Sequence, residues 1–370
     1  SEAWLRLLPV MFGVISLYLI YLTSSPSPKL GEGNARGEVL PLFAAFFLAI
    51  NPYHIYYSQE FRSYSLLAML GILSMYFLVR KKYLFMAVTN ALILYTHYSG
   101  IFLILVQFII APSTIIYFLI SIILYIPWLP RFVEQLQSGV NIDNYLPGWR
   151  NVLTLSPIKA IPEIIFKFMA GRINLFPKWI YAIYILFVLG VTGMGVFLNR
   201  FERKLLWIWL GVPIIASFIL SFWVPQTQPF RLLFTLPAII MIMAGAATRF
   251  PKTFLTLMIY ISIVGNVLYF TRPRLQREQW RQAIDFLHKE NITVMVKFFD
   301  KFAPFYWYDQ NLIVVTKIPT DQKQFYFMEY LTGITDPGNR TKIEIEKNWK
   351  LVETRNFEGV GLIYKYESRN

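Results

Sequence analysis

Residues 51–64 read NPYHIYYSQEFRSY and put a carboxylate, Glu60, two positions before a guanidinium, Arg62. The stretches on either side, 39–59 and 63–79, carry no Asp, Glu, Lys or Arg. A carboxylate can act as general base toward a hydroxyl or ligate a metal. A guanidinium grips phosphate through paired donors. Together they point to a polar site that handles a phosphate-bearing group. Interfacial anchoring, or a local ion pair, is the plainer reading of the same two residues. Other polar groups fall at the same level. His54 precedes Glu60 by six residues, His97 and Tyr98 close the next apolar stretch, and Gln226, Gln228 and Arg231 occupy a third connection. His54 and His97 are two of the 3 histidines in the chain. Beside a carboxylate they could ligate a divalent cation or relay a proton, although their spacing matches no recognised metal pattern.

The elements that must position these residues are membrane helices. The chain of 370 residues is 56% hydrophobic and only 15% charged, against about 25% for soluble domains. Residues 7–28, 39–59, 63–79, 98–130, 179–199, 205–230, 232–248 and 253–271 contain no Asp, Glu, Lys or Arg. A bilayer crossing takes roughly 20 mostly apolar residues. The run 98–130 would be roughly 50 Å long as one helix, so it breaks near Pro112. With the short stretch 83–96, the expectation is an α-helical polytopic membrane protein of about ten transmembrane helices. The 14 surplus positive charges do not imply nucleic acid. Residues 271–370 hold 16 Lys/Arg against 13 Asp/Glu, a balance of +3, and the rest surround the membrane segments. The absence of cysteine excludes disulfides and thiolate metal sites.

Charge also orients the helices. The connections SPSPKLGEGNARGE, RKK, NRFERK and TRFPK hold ten Lys/Arg against three Asp/Glu, so the positive-inside rule places them in the cytoplasm. The polar residues around Glu60, His97 and Arg231, the long loop 129–178 and the tail then face outside. Two domains are expected, a multi-spanning unit over 1–270 and a soluble extracytoplasmic α/β unit over 271–370. In the tail, REQWRQAIDFLHKE is amphipathic at helical spacing, ITVMVKFF and NLIVVTKI read as buried strands, QKQFYFMEYLTG as a helix, and KIEIEKNWKLVETRNFEGVGLIYKYE as alternating strands. In the long loop, IPEIIFKFMAG suits either a helix lying in the membrane interface or an ordinary loop helix.

Five blocks in this order, NPYHIYYSQEFRSYSLLAML, LYTHYSGIFLIL, IPWLPRFVEQL, QPFRLLFTLPAIIMIMAG and REQWRQAIDFL, resemble the GT-C membrane glycosyltransferases related to protein O-mannosyltransferases and the lipid A aminoarabinose transferase. The nearest branch is that of the lipopolysaccharide-core-type transferases. The likeness covers nearly the whole chain and is strongest over 51–70. It implies a polyprenyl- or dolichyl-phosphate-linked sugar donor, a glycan, lipid or protein acceptor, and transfer on the extracytoplasmic face of the cell envelope. Glu60 and Arg62 match the family's Ser-Gln-Glu-x-Arg-x-Tyr block. The resemblance implies that Glu60 supports the site through a divalent metal or the acceptor. Arg62 and Arg231 would bind donor phosphate beside Gln228, and Tyr64, His97 and Tyr98 would line the pocket. His54 joins Glu60 as a metal candidate from its position alone. In the family, a first helix and an outer loop with an essential acidic residue precede the point where SEAWLRLLPVMFGV aligns. The expectation is therefore an N-terminally truncated chain, inactive as given.

Two other classes compete. A transporter or flippase of lipid-linked sugars would place polar groups near the helix midplane. A non-catalytic membrane subunit would show no dependence on lipid-phosphate donors.

Overall fold

The protein is described by a computed structural model that covers residues 2–25, 35–153, 157–199, 204–224, 226–298 and 301–369. The charged connections 26–34 and 200–203, which bear on the expected orientation, lie outside the described residues. The chain divides into two units, Ser1–Phe132 with Thr154–Tyr269, and Val133–Leu153 with Phe270–Asn370.

The first unit is helical. Its elements are α1 (Glu2–Ser24), α2 (Ala35–Ile50), α3 (Pro52–Tyr57), α4 (Tyr64–Val79), α5 (Tyr83–Thr96), α6 (Ile101–Ile110) and α7 (Ile115–Tyr125), followed by α8 (Leu129–Val140), which runs on into the second unit. Two short helices, α9 (Ile142–Tyr145) and α10 (Trp149–Leu153), come next. The first unit resumes with α11 (Pro157–Ala170), α12 (Lys178–Asn199), α13 (Lys204–Leu220), α14 (Leu236–Arg249) and α15 (Pro251–Thr271). Among the described residues, 5 helical stretches are long and apolar enough to cross a membrane: Glu2–Ser24, Pro112–Val140, Lys178–Asn199, Pro229–Arg249 and Pro251–Thr271. Five shorter apolar helices accompany them. These helices mark the chain as membrane-associated. The apolar run over 98–130 is interrupted at Pro112–Thr114, where a 3-10 turn separates α6 from α7.

Apolar character alone does not say which helix is central. The stretch Pro229–Arg249 is 83% buried, whereas Pro112–Val140 is 17% buried at nearly the same hydropathy. A helix apolar all round is buried among other helices or faces lipid, and here both outcomes occur in one unit. α14 packs against α2, α12 and α13, and Ala238, Ile239, Met243 and Ala246 are fully enclosed. On α7 the side chains of Ile115, Ile116, Ile122 and Ile123 stay exposed. Over 157–170 the sequence left a loop helix and an interfacial helix open. α11 contributes Ile164, Phe168 and Met169 to the buried core of the first unit.

The second unit is built on a five-stranded sheet of order β2-β1-β3-β5-β4, with β1 (Val294–Val296), β2 (Val314–Val315), β3 (Gln324–Met328), β4 (Trp349–Phe357) and β5 (Gly361–Ser368). β1 pairs in parallel with β2 and β3, in register Val294↔Val314 and Met295↔Phe327. β3–β5 and β4–β5 are antiparallel. α16 (Trp280–Glu290) buries Trp280, Ala283, Ile284 and Leu287, the amphipathic face read from its spacing. α17 (Ala303–Tyr308) and α18 (Thr332–Thr335) are short. Gly148 N–H donates to Ile334 O at 2.8 Å, so residues 133–153 belong with this unit rather than with 1–270.

Two expectations in the tail are corrected. Residues 324–328 form a strand, not a helix. Both faces of this central strand are covered, Tyr326 and Met328 by one cluster and Phe325 and Phe327 by another. The polar–apolar alternation that announces a strand is therefore missing. Conversely, the alternating KIEIEKN lies in α19 (Arg340–Asn348). Asp336 decides this locally, because its carboxylate accepts the N–H groups of Arg340 (3.1 Å) and Thr341 (2.8 Å) at the start of the helix.

Candidate functional site

The stretch 51–64 is held from both ends. Asn51 caps α3 by accepting His54 N–H on Oδ1 at 2.8 Å, with Pro52 in the first turn. Its Nδ2 donates to Phe168 O at 2.8 Å and ties α3 to α11. The chain then turns, Arg62 N–H donating to Glu60 O at 2.7 Å, and α4 begins at Tyr64. Arg62 Nε stands 3.0 Å from Glu60 Oε1, with the Arg62 side chain 61% exposed and that of Glu60 17%. The pair is thus half embedded, its cation on the outside.

Three connections far apart in sequence meet here. The Tyr64 ring lies 5.8 Å from His97 and 5.0 Å from Phe230, centroid to centroid. Its hydroxyl feels the charges of Arg62, Arg231 and Glu60. Ser99 Oγ donates to Arg231 O at 2.8 Å, which joins the second connection to the third. Arg231 Nη1 donates to Gln226 Oε1 at 2.9 Å. The 226–228 turn is set by Ser221, whose Oγ accepts the N–H groups of Gln226 (3.1 Å) and Thr227 (2.7 Å). Gln228 is buried, and its carbonyl accepts Arg231 N–H at 3.0 Å.

His97 ends α5, with its Nδ1 accepting Ser99 N–H at 3.1 Å. That bond requires a neutral ring. Burial first, and the Arg231 charge second, push its pKa down to about 4. His97 is therefore an acceptor at neutral pH and not a cation.

Not every expected residue joins the group. The Tyr98 hydroxyl accepts from Trp128 Nε1 at 3.3 Å, and its ring packs on Phe132 at 4.9 Å, toward α7 and α8. The buried His54 sets Nε2 3.3 Å from Gly13 O on α1. Among the described residues, no group of three His, Cys, Asp or Glu could hold a metal ion. Glu60 faces a guanidinium, which would repel a cation.

Sequence reasoning missed Arg172. It lies in the long loop directly after α11 and donates to the Tyr56 hydroxyl. Burial opposes its charge, but the Tyr56, Tyr57 and Glu60 oxygens outweigh that and raise its pKa above the ordinary arginine value. The available signal was a lone cation in the apolar stretch FMAGRINLF. Also missed was a ring of polar side chains inside the helices. Ser74 Oγ donates to Asn90 Oδ1 (2.6 Å), Asn90 Nδ2 to Gln107 Oε1 (2.7 Å), and Gln107 Nε2 back to Ser74 Oγ (2.7 Å). All three residues are fully buried.

No family model, curated protein or solved structure matches the chain. The functional reading therefore stands on the site itself and on the resemblance of the sequence blocks.

Proposed function

We propose that this chain is a GT-C-type membrane glycosyltransferase. In this reading it transfers a sugar from a polyprenyl- or dolichyl-phosphate donor to a glycan, lipid or protein acceptor on the extracytoplasmic face. The observation that carries the reading is the meeting of Glu60, Arg62, Tyr64, His97 and Arg231 from three separate connections. The five shorter apolar helices count as crossings alongside the five long ones, ten in all. The basic connections face the cytoplasm, and the second unit lies outside.

The chemistry follows from the residue types. Arg62 and Arg231 neutralise the donor phosphate. Glu60 accepts a hydrogen bond from the acceptor hydroxyl and takes its proton as the oxygen attacks the anomeric carbon. The bond from that carbon to the phosphate oxygen breaks, and the electron pair leaves with the lipid phosphate. Tyr64 and Phe230 offer ring faces to the sugar. A lipid-linked-sugar transporter would draw support from Ser74, Asn90 and Gln107 in the helix interior. Their hydrogen bonds are satisfied within the ring, which leaves no preference for a substrate.

The test is equilibrium binding of a polyprenyl hexosyl phosphate to the purified chain in detergent. Loss of binding in Arg62→Ala and in Arg231→Ala, with folding intact, supports the donor site. Binding that neither substitution changes, or no binding at all, overturns it.

A further inference from the structure

The second unit holds a cavity of about 400 Å³ where three segments lead into its parallel strands. Residues 291–293 run into β1, 312–313 into β2 and 322–324 into β3. The sheet fixes these walls, since Val294 N–H donates to Ile313 O and Tyr326 N–H to Thr293 O, both at 2.9 Å. His288 Nδ1 lies 2.6 Å from Asp309 Oδ2, and Asp309 Oδ1 accepts Asn311 N–H at 2.9 Å. These contacts clip the end of α16 to the segment that enters β2. Asn291 closes α16 in the left-handed conformation, φ +48°, and its backbone N–H donates to Leu287 O at 3.1 Å. The backbone thus makes the cap and spares the Asn291 amide. Among the described residues, the side chains of Asn291, Gln322 and Gln324 take no hydrogen-bond partner. Thr293 is only 5% exposed, and its hydroxyl likewise takes none. A hydroxyl buried to that degree is costly unless it is bonded. Four uncommitted polar side chains therefore line one cavity.

We propose that this cavity binds a single neutral sugar residue. The inference goes beyond the proposed function and stands whether or not the chain is a transferase. Each amide offers one acceptor and two donors, and the Thr293 hydroxyl both donates and accepts. A sugar hydroxyl does the same, so both halves of every amide find use. A carboxylate or a phosphate only accepts, and would leave three amide oxygens facing its charge. Among the described residues, Lys323 is the one cation lining the cavity. Glu367, opposite Gln324 in the pairing of β3 with β5, offsets that charge. A phosphate site gathers guanidinium forks or several cations instead. Among the described residues no aromatic ring lines the cavity, so a nucleobase finds nothing to stack on. The buried Leu312 and the exposed Ile313 give an apolar wall for the C–H face of a sugar ring. The volume lies at the low end of ligand pockets, about 300–1,000 Å³, and suits one residue rather than a longer chain.

The experiment is ligand-observed NMR titration of the full-length chain in an amine-oxide detergent, which carries no sugar of its own. The probes are the methyl glycosides of glucose, galactose, mannose and N-acetylglucosamine, with acetate and inorganic phosphate as anions. At least one glycoside is expected to bind and to resist displacement by either anion. Thr293→Val, which keeps the side-chain shape, and Gln322→Ala should each weaken that glycoside by roughly fivefold to tenfold, the size of one or two neutral hydrogen bonds. Should Thr293→Val fail to fold, Gln322→Ala still decides. Binding of none of the four glycosides overturns the inference, as does binding that both substitutions leave unchanged. Displacement of the glycoside by acetate or phosphate overturns it too and makes the cavity an anion site. None of these failures touches the donor site, which is read separately through Arg62 and Arg231.

Discussion

The helical unit contains two polar assemblies, and they are built on opposite principles. Ser74, Asn90 and Gln107 form a closed ring, wholly buried, in which each side chain donates to the next. Glu60, Arg62, Tyr64, His97 and Arg231 form an open group at the helix ends, where the Arg62 side chain keeps most of its exposure. A polar group buried among apolar side chains is costly unless its hydrogen bonds are made. The ring meets that demand internally and holds α4, α5 and α6 in one arrangement. The open group keeps donors in reach of solvent, which is what a ligand requires. Polar residues in an apolar bundle are therefore not one class. Closure separates those that hold the fold from those that can serve a ligand.

The contrast breaks most easily at the ring. Asn90→Leu would strand the hydroxyl of Ser74 and the amide of Gln107 in an apolar interior, at about 1–3 kcal/mol for each stranded group. Thermal unfolding in detergent should show a larger loss than Arg231→Ala, Asp336→Ala or His97→Gln produces, with lipid-phosphate binding per folded molecule unchanged. A comparable loss of binding would mean that the ring is part of the site.

Arg231→Ala should do the reverse. Donor binding should fall by roughly tenfold, about 1.4 kcal/mol, while the melting temperature moves little. An equal shift in melting temperature would make Arg231 a structural residue tied to Gln226 and Ser99.

The second unit offers a closed device of its own. Asp336 accepts two N–H groups at the start of α19. Burial raises its pKa, but the bonds from Thr341 and Arg340 outweigh that and hold it below the ordinary carboxylate value. A depressed native pKa contributes stability above the unfolded value of about 3.9 and loses it as pH falls through the native one. Asp336→Ala should cost about 1 kcal/mol at neutral pH, read by hydrogen exchange over 340–348. The cost should vanish as the pH falls below that of the native carboxyl.

The smallest effect concerns His97. Its native pKa of about 4 lies below the unfolded value of about 6.5. The unfolded chain binds the extra proton first, so stability should decline as pH drops between those values. His97→Gln should flatten that decline. Donor binding above pH 7 should not respond to the ring's protonation, because the ring is already neutral there.

How much of this was legible in the sequence depended on the range of the deciding interaction. Among the described residues, the lengths of the apolar runs mark the five long apolar helices and the five shorter ones, since a helix needs only its own hydrogen bonds. Pro112 announces the break after α6, because a proline at that point cannot continue the ladder. The spacing of Trp280, Ile284 and Leu287 likewise announces α16. The pairing of Glu60 with Arg62 needs only two residues of chain.

Other features lay beyond any local pattern. QFYFM is a strand because two layers cover it, and KIEIEKN a helix because Asp336 caps it. α14 is central, rather than α7, because of what packs around it, not because it is more apolar. Arg172 reaches Tyr56 because Gly171 and Gly265 allow a close approach at α3 and α11. Local composition determined where helices form and where charge gathers. Tertiary packing alone decided which polar groups close on one another and which remain open, because that depends on partners tens to hundreds of residues away.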